Sequence, residues 1–261
     1  MQITRRRRRE PAAIGKFRFA STTFQSESFR LKTSVAKRLL LFDIDHTLID
    51  SGGAGVQALR DAFEQEFGIS DDLQGIEIAG KTDTGIIHQI LRKQEMDLSE
   101  KNIAAFLERY LQLLAAELPR REGTLLPGIA ELLQRLREER RNVLALLTGN
   151  VERGAKLKLE QYGVWHFFDF GAFADDHHVR NELGPFAVQR AFEWHGIRFT
   201  AEEIDVIGDT PHDIACGKAI GARTIAVATG DFSRAQLAEL APDFIVDDFS
   251  DVRARMAELG W

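Results

Sequence analysis

Cysteine is nearly absent from the 261 residues, and Cys216 stands alone. An intramolecular disulfide needs two thiols and a zinc or iron–sulfur cluster needs several, so both are excluded and a reducing compartment is expected. Long apolar runs are missing too. No stretch reaches the roughly 18 to 20 consecutive apolar residues that cross a bilayer, and the first 30 residues lack the apolar segment of a secretory signal. The expectation is a cytoplasmic protein with no membrane association. No internal repeat is visible.

What is present is ordinary in sum and uneven in detail. With 44% apolar residues the chain can build a sizeable core without a disulfide or a structural metal. The formal charge of -6 hides a division: residues 1–38 hold eleven basic residues, Arg5 to Arg9 among them, against Glu10 and Glu27, a net of +9, which leaves -15 on the remainder. Residues 1–36 read as a solvated, disordered extension. The alternatives for that arm are organelle targeting, if the source is eukaryotic, and nucleic-acid binding, which is not the expected role.

Patterned sequence begins at Lys37. Leu39 to Asp43, Val143 to Leu147 and Ile204 to Ile207 are short apolar runs that read as strands buried on both faces, and Phe168 to Phe173, Thr224 to Val227 and Phe244 to Val246 are further candidates. Helical stripes alternate with them: Ile129, Leu132, Leu133 and Leu136, then Phe186, Ala187, Arg190, Ala191 and Trp194. Pro185 and Pro211 suit first helical turns. The expected fold class is α/β, a doubly wound parallel sheet. From Ser51 to Gly123 the alternation stops and three helical stripes replace it: Val56, Leu59, Phe63 and Phe67; Ile86, Ile87, Ile90 and Leu91; Ile103, Phe106, Leu107, Tyr110, Leu111 and Leu114. The expected organisation is a core of residues 37–50 and 124–261 carrying a helical insertion, 51–123.

In an open parallel sheet ligands bind at the carboxyl ends of the strands. Those ends carry Asp43-Ile44-Asp45-His46-Thr47, Thr148-Gly149-Asn150 and Gly208-Asp209-Thr210-Pro211-His212-Asp213. Gathered carboxylates repel one another, which calls for a cation, and all-oxygen donors favour Mg²⁺ over zinc. Such an ion would hold a phosphate, and an aspartate can be a nucleophile toward phosphorus. Asp43 and Asp45 can face one reacting group if the chain bends after Asp43; Asp209 and Asp213 lie one helical turn apart if a helix starts at Pro211. Thr148 offers a hydroxyl, and the amides of Gly149 and Asn150 suit a phosphoryl oxygen.

These three segments resemble the first, second and fourth motifs of the haloacid dehalogenase-like hydrolase superfamily, and the helical insertion is similar to the cap of its phosphoglycolate phosphatase-like members. The resemblance implies a Mg²⁺-dependent phosphatase of a small phosphorylated metabolite. It implies that Asp43 attacks phosphorus and that Asp45 protonates the leaving group and then activates water. Mg²⁺ would sit on Asp43, the Asp45 carbonyl and Asp209, with Asp213 in its outer shell, and Thr148 and its neighbours would bind phosphoryl oxygens. The family's third motif is a lysine, and residues 176–185 contain none; Arg180 is the candidate substitute. His46 occupies a position where glycine is commoner and is expected to alter the turn after Asp45. Gly80-Lys81-Thr82-Asp83 is a polar turn expected either to face the site, with Lys81 and Thr82 as substrate contacts, or simply to cap a helix. His177 and His178 read as loop residues and Cys216 as packing. A phosphomutase of a sugar phosphate is the alternative enzyme and a nucleic-acid-binding protein the alternative of another class. Either a monomer or a homodimer fits.

Overall fold

A computed structural model describes residues 38–70 and 73–261. The expectations for residues 1–36, the basic arm, lie outside the described residues.

Among the described residues six parallel strands form the main sheet: β1 (Arg38–Phe42), β4 (Asn142–Leu147), β5 (Gly171–Ala172), β6 (Ile204–Gly208), β7 (Arg223–Val227) and β8 (Phe244–Val246), in the order β5-β4-β1-β6-β7-β8. The central strands are apolar at nearly every position because successive side chains point to opposite faces and both faces are covered. Leu40, Phe42, Leu144, Leu146 and Ile207 enter one core with α4 (Ile129–Glu139), α5 (Glu152–Gln161) and α9 (Val252–Leu259). Leu39, Leu41, Val143, Ala145 and Val206 enter another with α6 (Leu183–His195) and α7 (Pro211–Ala219). The short α8 (Arg234–Ala238) packs near β8. In register, Leu40 lies beside Leu144 on one side and Asp205 on the other, so β1 is held between β4 and β6 and their carboxyl ends converge.

All six expected strands form, although the fifth shrinks from Phe168–Phe173 to two residues. The α6 stripe needs correction. Phe186 and Trp194 are exposed, and Leu183, Gly184, Ala187 and Ala191 face the sheet. Large side chains do not fit where a helix lies close on a sheet, so the small residues take the buried face and Trp194 instead stacks near Phe170 on the outside.

Between the two-residue strands β2 (Ile49–Asp50) and β3 (Thr124–Leu125), which pair antiparallel, lie α1 (Ala54–Phe67), α2 (Asp83–Lys93) and α3 (Glu100–Glu117). Their expected stripes meet in a separate apolar cluster in which Phe63 and Phe106 rings are 4.1 Å apart. Val56, Phe67, Ile103 and Leu107 pack only partly buried at its edge. The β2–β3 pair closes the neck of this insertion.

One buried acid lies away from the carboxyl ends. Asp205, fully buried near the start of β6, accepts hydrogen bonds from Arg38 Nε at 2.8 Å, Arg223 Nε at 2.7 Å and Trp261 Nε1 at 2.6 Å. It ties three strand starts and the last residue together, opposite the site. No described helix is long and apolar enough to cross a membrane.

Candidate active site

The chain leaves β1 at Asp43 and turns back at once. His46 adopts φ 54°, in the left-handed region that favours glycine, and Thr47, Leu48 and Ile49 amides close on the Ile44 carbonyl. His46 accepts the strained conformation, and its carbonyl is held by the Thr229 hydroxyl. The turn places Asp43 and Asp45 on one cavity of about 330 Å³, together with Gly149, Asn150, Arg180 and Asp209.

Asp43, Asp209 and Asp213 are buried, with one carboxylate oxygen from each lying within 4.8 Å of the others. Burial raises Asp43 to about 6, with Asp213 and Asp45 adding to it and Arg180 opposing. Burial followed by the Asp213 and Asp43 charges lifts Asp209 to about 9. Three carboxylates this close cannot all ionise without a cation. Thr47 Oγ1 donates to Asp209 Oδ1 at 3.2 Å. Asp213 stands at the third position of α7, which starts at Pro211 as expected, and its Oδ2 accepts from the Thr210 amide at 3.0 Å and hydroxyl at 2.7 Å. Glycine is required at Gly230, in the loop after β7, since a Cβ there would lie 1.9 Å from Asp209 Oδ2.

Arg180 reaches this group from a short helical turn, Arg180–Glu182. It is 5% exposed, and its Nη2 lies 3.0 Å from Asp43 Oδ1, contacts Asp213 Oδ1 and donates to the Leu147 carbonyl at 3.2 Å. Burial would lower its pKa, but Asp213 and Asp43 outweigh that and push it up, so the guanidinium stays charged. Cys216 is fully buried behind it, its thiol donating to the Arg180 carbonyl at 3.4 Å, and burial pushes the thiol up to about 11.

The second acid of the first motif is held differently. Lys158, 4% exposed on α5, places Nζ 2.8 and 2.7 Å from the two Asp45 oxygens and 2.7 Å from Asn150 Oδ1, while Asn150 Nδ2 donates to Asp45 Oδ2 at 2.9 Å. Burial alone would raise Asp45; the Lys158 charge and these hydrogen bonds overcome it and leave Asp45 below the usual carboxylate range. Lys158 was not among the residues the sequence singled out. Its signal was a lysine in register with Gly154, Ala155 and Leu159 on the buried face of a helix.

The remaining expected residues divide. Gly149 and Asn150 line the cavity, whereas Thr148 lies fully buried beneath it, its hydroxyl accepting from Asn150 Nδ2 at 2.9 Å. Lys81 lines the cavity from the insertion and pairs with Glu77 at 3.1 Å. Thr82 is not at the cavity: it is the N-cap of α2, accepting from the Gly85 amide at 3.0 Å and donating to the His178 carbonyl at 2.6 Å. The His178 ring stacks on His177 at 4.7 Å and lies tilted against His88 at 4.8 Å. Asp83, quoted only as a helix start, is buried and fastens the insertion to the sheet: its amide donates to the Gly149 carbonyl at 2.7 Å and its Oδ2 accepts from the Val151 amide at 2.8 Å. Burial, partly offset by Lys158, raises Asp83 to about 6. Gly149 permits this approach, since a Cβ there would lie 2.1 Å from the Lys81 carbonyl oxygen.

Buried carboxylates, a captive guanidinium and a second carboxylate fixed by an ammonium thus gather at the carboxyl edge of a doubly wound sheet, and the three acids could hold a metal ion. The sequence profile of the haloacid dehalogenase-like hydrolases matches residues 40–227, and the chain belongs to that family. It is 29% identical over 221 residues to the probable phosphatase IndB of Dickeya dadantii (strain 3937), covering 83% of this chain and 92% of that protein. It is 27% identical over 125 residues to the phosphoglycolate phosphatase of Aliivibrio fischeri (strain ATCC 700601 / ES114), covering 48% of this chain and only 53% of that relative. The crystal structure of CbbY from Rhodobacter sphaeroides in complex with phosphate shares the fold, with a TM-score of 0.67 at 21% identity over 82% of this chain and 96% of that one.

Proposed function

We propose that the protein is a Mg²⁺-dependent phosphatase of a small phosphorylated metabolite, with Asp43 as the nucleophile and residues 51–123 as a helical cap over the site. The observation that carries this reading is the contact of Arg180 with Asp43 at 3.0 Å inside the buried Asp43, Asp209 and Asp213 cluster. The donor set fits a hard divalent ion, because the donors are oxygens and a single guanidinium leaves the acids under-neutralised. Asp43, Asp209 and the Asp45 carbonyl would hold it, with Asp213, already engaged by Arg180 and Thr210, behind them. Bound there, Mg²⁺ supplies charge neutralisation for the phosphoryl oxygens.

The chain's own residues do the rest. An Asp43 oxygen attacks phosphorus, the ester P–O bond breaks, and the leaving oxygen takes a proton from Asp45. A monoprotonated phosphate ester can bring that proton to Asp45, which is otherwise held ionised by Lys158. Asp45 then takes a proton from water as the water oxygen attacks phosphorus, and the Asp43–phosphorus bond breaks to release phosphate. Arg180 and the Gly149 amide face the charge on the moving group, whereas the Asn150 amide donates to the Thr148 hydroxyl at 3.3 Å. The relatives' names support the phosphatase reading. Asp43→Asn, assayed on an aryl phosphate with Mg²⁺, should lose nearly all turnover while binding phosphate; retained turnover sinks the assignment.

A further inference from the structure

The far wall of the cavity comes from the proposed cap, and its chemistry differs from that of the floor. Val56 and Leu59 of α1, Ile78 and Ala79 before α2, and Ile86 of α2 make it apolar. Tyr110 of α3 adds a phenol. Its side chain is 2% exposed and packs against Phe106, the residue lines the cavity, and its hydroxyl has no hydrogen-bond partner among the described residues. A methyl group on Gly55 would sit 3.8 Å from that hydroxyl and 3.4 Å from Lys158 Nζ, so the phenol stands beside the lysine that fixes Asp45. A hydroxyl with no protein partner beside a cavity is free to donate to a ligand oxygen in place of water.

The charges of the cavity are already allotted. Five aspartates and three Lys or Arg side chains line it. Arg180 is taken by Asp43 and Asp213, Lys158 by Asp45, and Lys81 by Glu77 at the rim. With all five aspartates ionised the lining is two charges short of neutral, which one divalent ion makes up before any substrate arrives. A carboxylate or second phosphate on the leaving group would meet Asp83 and the apolar wall with no uncommitted Lys or Arg among the described lining residues. The first turn of α1, where Gly53, Gly55 and Val56 line the cavity, adds amide donors for a ligand oxygen.

We infer that the substrate, on the phosphatase reading above, is a monophosphate ester of an uncharged, hydroxyl-bearing alcohol, and that Tyr110 selects it by donating a hydrogen bond to a leaving-group oxygen. This sets the chain apart from phosphoglycolate, the substrate in one relative's name, whose leaving group is anionic.

The test uses the full chain with Mg²⁺ and compares kcat/KM on hydroxyethyl phosphate, ethyl phosphate, phosphoglycolate and pyrophosphate, with an aryl phosphate as reference. Hydroxyethyl phosphate should exceed phosphoglycolate and pyrophosphate by at least about tenfold. Tyr110→Phe should lower the ratio of hydroxyethyl to ethyl phosphate about tenfold. Val56→Lys, which puts a cation into the wall without touching Tyr110, should raise phosphoglycolate relative to hydroxyethyl phosphate by about tenfold. If phosphoglycolate or pyrophosphate is preferred by the unaltered chain, the α1 amides or a cap cation hold an anion and this inference is overturned while the phosphatase reading stands. An unmoved ratio in Tyr110→Phe overturns the role of the phenol. No turnover of any ester, the aryl phosphate included, overturns the phosphatase reading and this inference with it.

Discussion

Replacing Arg180 by methionine removes the only Lys or Arg that touches the Asp43, Asp209 and Asp213 cluster among the described residues. Methionine fills much of the same space, so the loss is chiefly electrostatic. Breaking a buried ion pair on one side costs about 3 to 5 kcal/mol when the other charge is stranded. Here the cost should sit near the lower figure, because Asp43 is already lifted to about 6 and takes up a proton once the guanidinium has gone. A loss of about 3 kcal/mol is roughly two powers of ten in the folding equilibrium. It should shrink as pH falls, since protonated acids no longer need the cation. Urea unfolding in chelator at about pH 7 measures it. Mg²⁺ should then restore more stability to Arg180→Met than to the unaltered chain, because the ion replaces the missing charge. Arg180→Lys, with the charge but not the planar fork, should fall between. A loss below about 1 kcal/mol in chelator, or equal stabilisation of both proteins by Mg²⁺, would refute the reasoning.

Two further predictions concern the same carboxylates. Asp209, raised to about 9, and Asp43, raised to about 6, keep protons in the folded metal-free protein that the unfolded chain has already released. Their contribution to stability is therefore full below the ordinary carboxylate range and is lost as pH rises through 6 and then 9. In chelator, stability should decline across that window, and Mg²⁺ binding within it should release protons, read by titration calorimetry in buffers of different ionisation enthalpy. Flat stability and no proton release would contradict this. Lys158→Met should lower kcat/KM by about a hundredfold on alkyl phosphates and much less on an aryl phosphate, whose leaving group needs no proton. Equal losses on both would mean that Lys158 does not act through Asp45.

The strands were legible because burial on both faces writes itself as uninterrupted apolar runs, and the ends of Leu39–Asp43, Val143–Leu147 and Ile204–Ile207 pointed at Asp43, Thr148 and Asp209. Arg180 was legible by position, as the one cation in a stretch where a lysine was expected. Lys158, Asp83 and Tyr110 were not, for a shared physical reason. Each sits on a helix whose other residues are ordinary packing, and two acquire their partners only when distant segments meet: Lys158 with Asp45 across 113 positions, Asp83 with Val151 across 68. Spacing along the chain carries no trace of such contacts. The α6 stripe misled for the opposite reason. Of that stripe Ala187 and Ala191 are buried, small enough for the helix to lie close to the sheet, while Phe186 and Trp194 are too large for that face and stay exposed.

Asp43 as the phosphorylated residue is the claim on which the rest depends. Acid quenching within the first turnover, followed by peptide mass analysis, should find one phosphoryl group on the peptide containing Asp43, lost on treatment with hydroxylamine and missing from Asp43→Asn. Turnover that proceeds with no covalent phosphate, or with phosphate on another residue, would contradict the account.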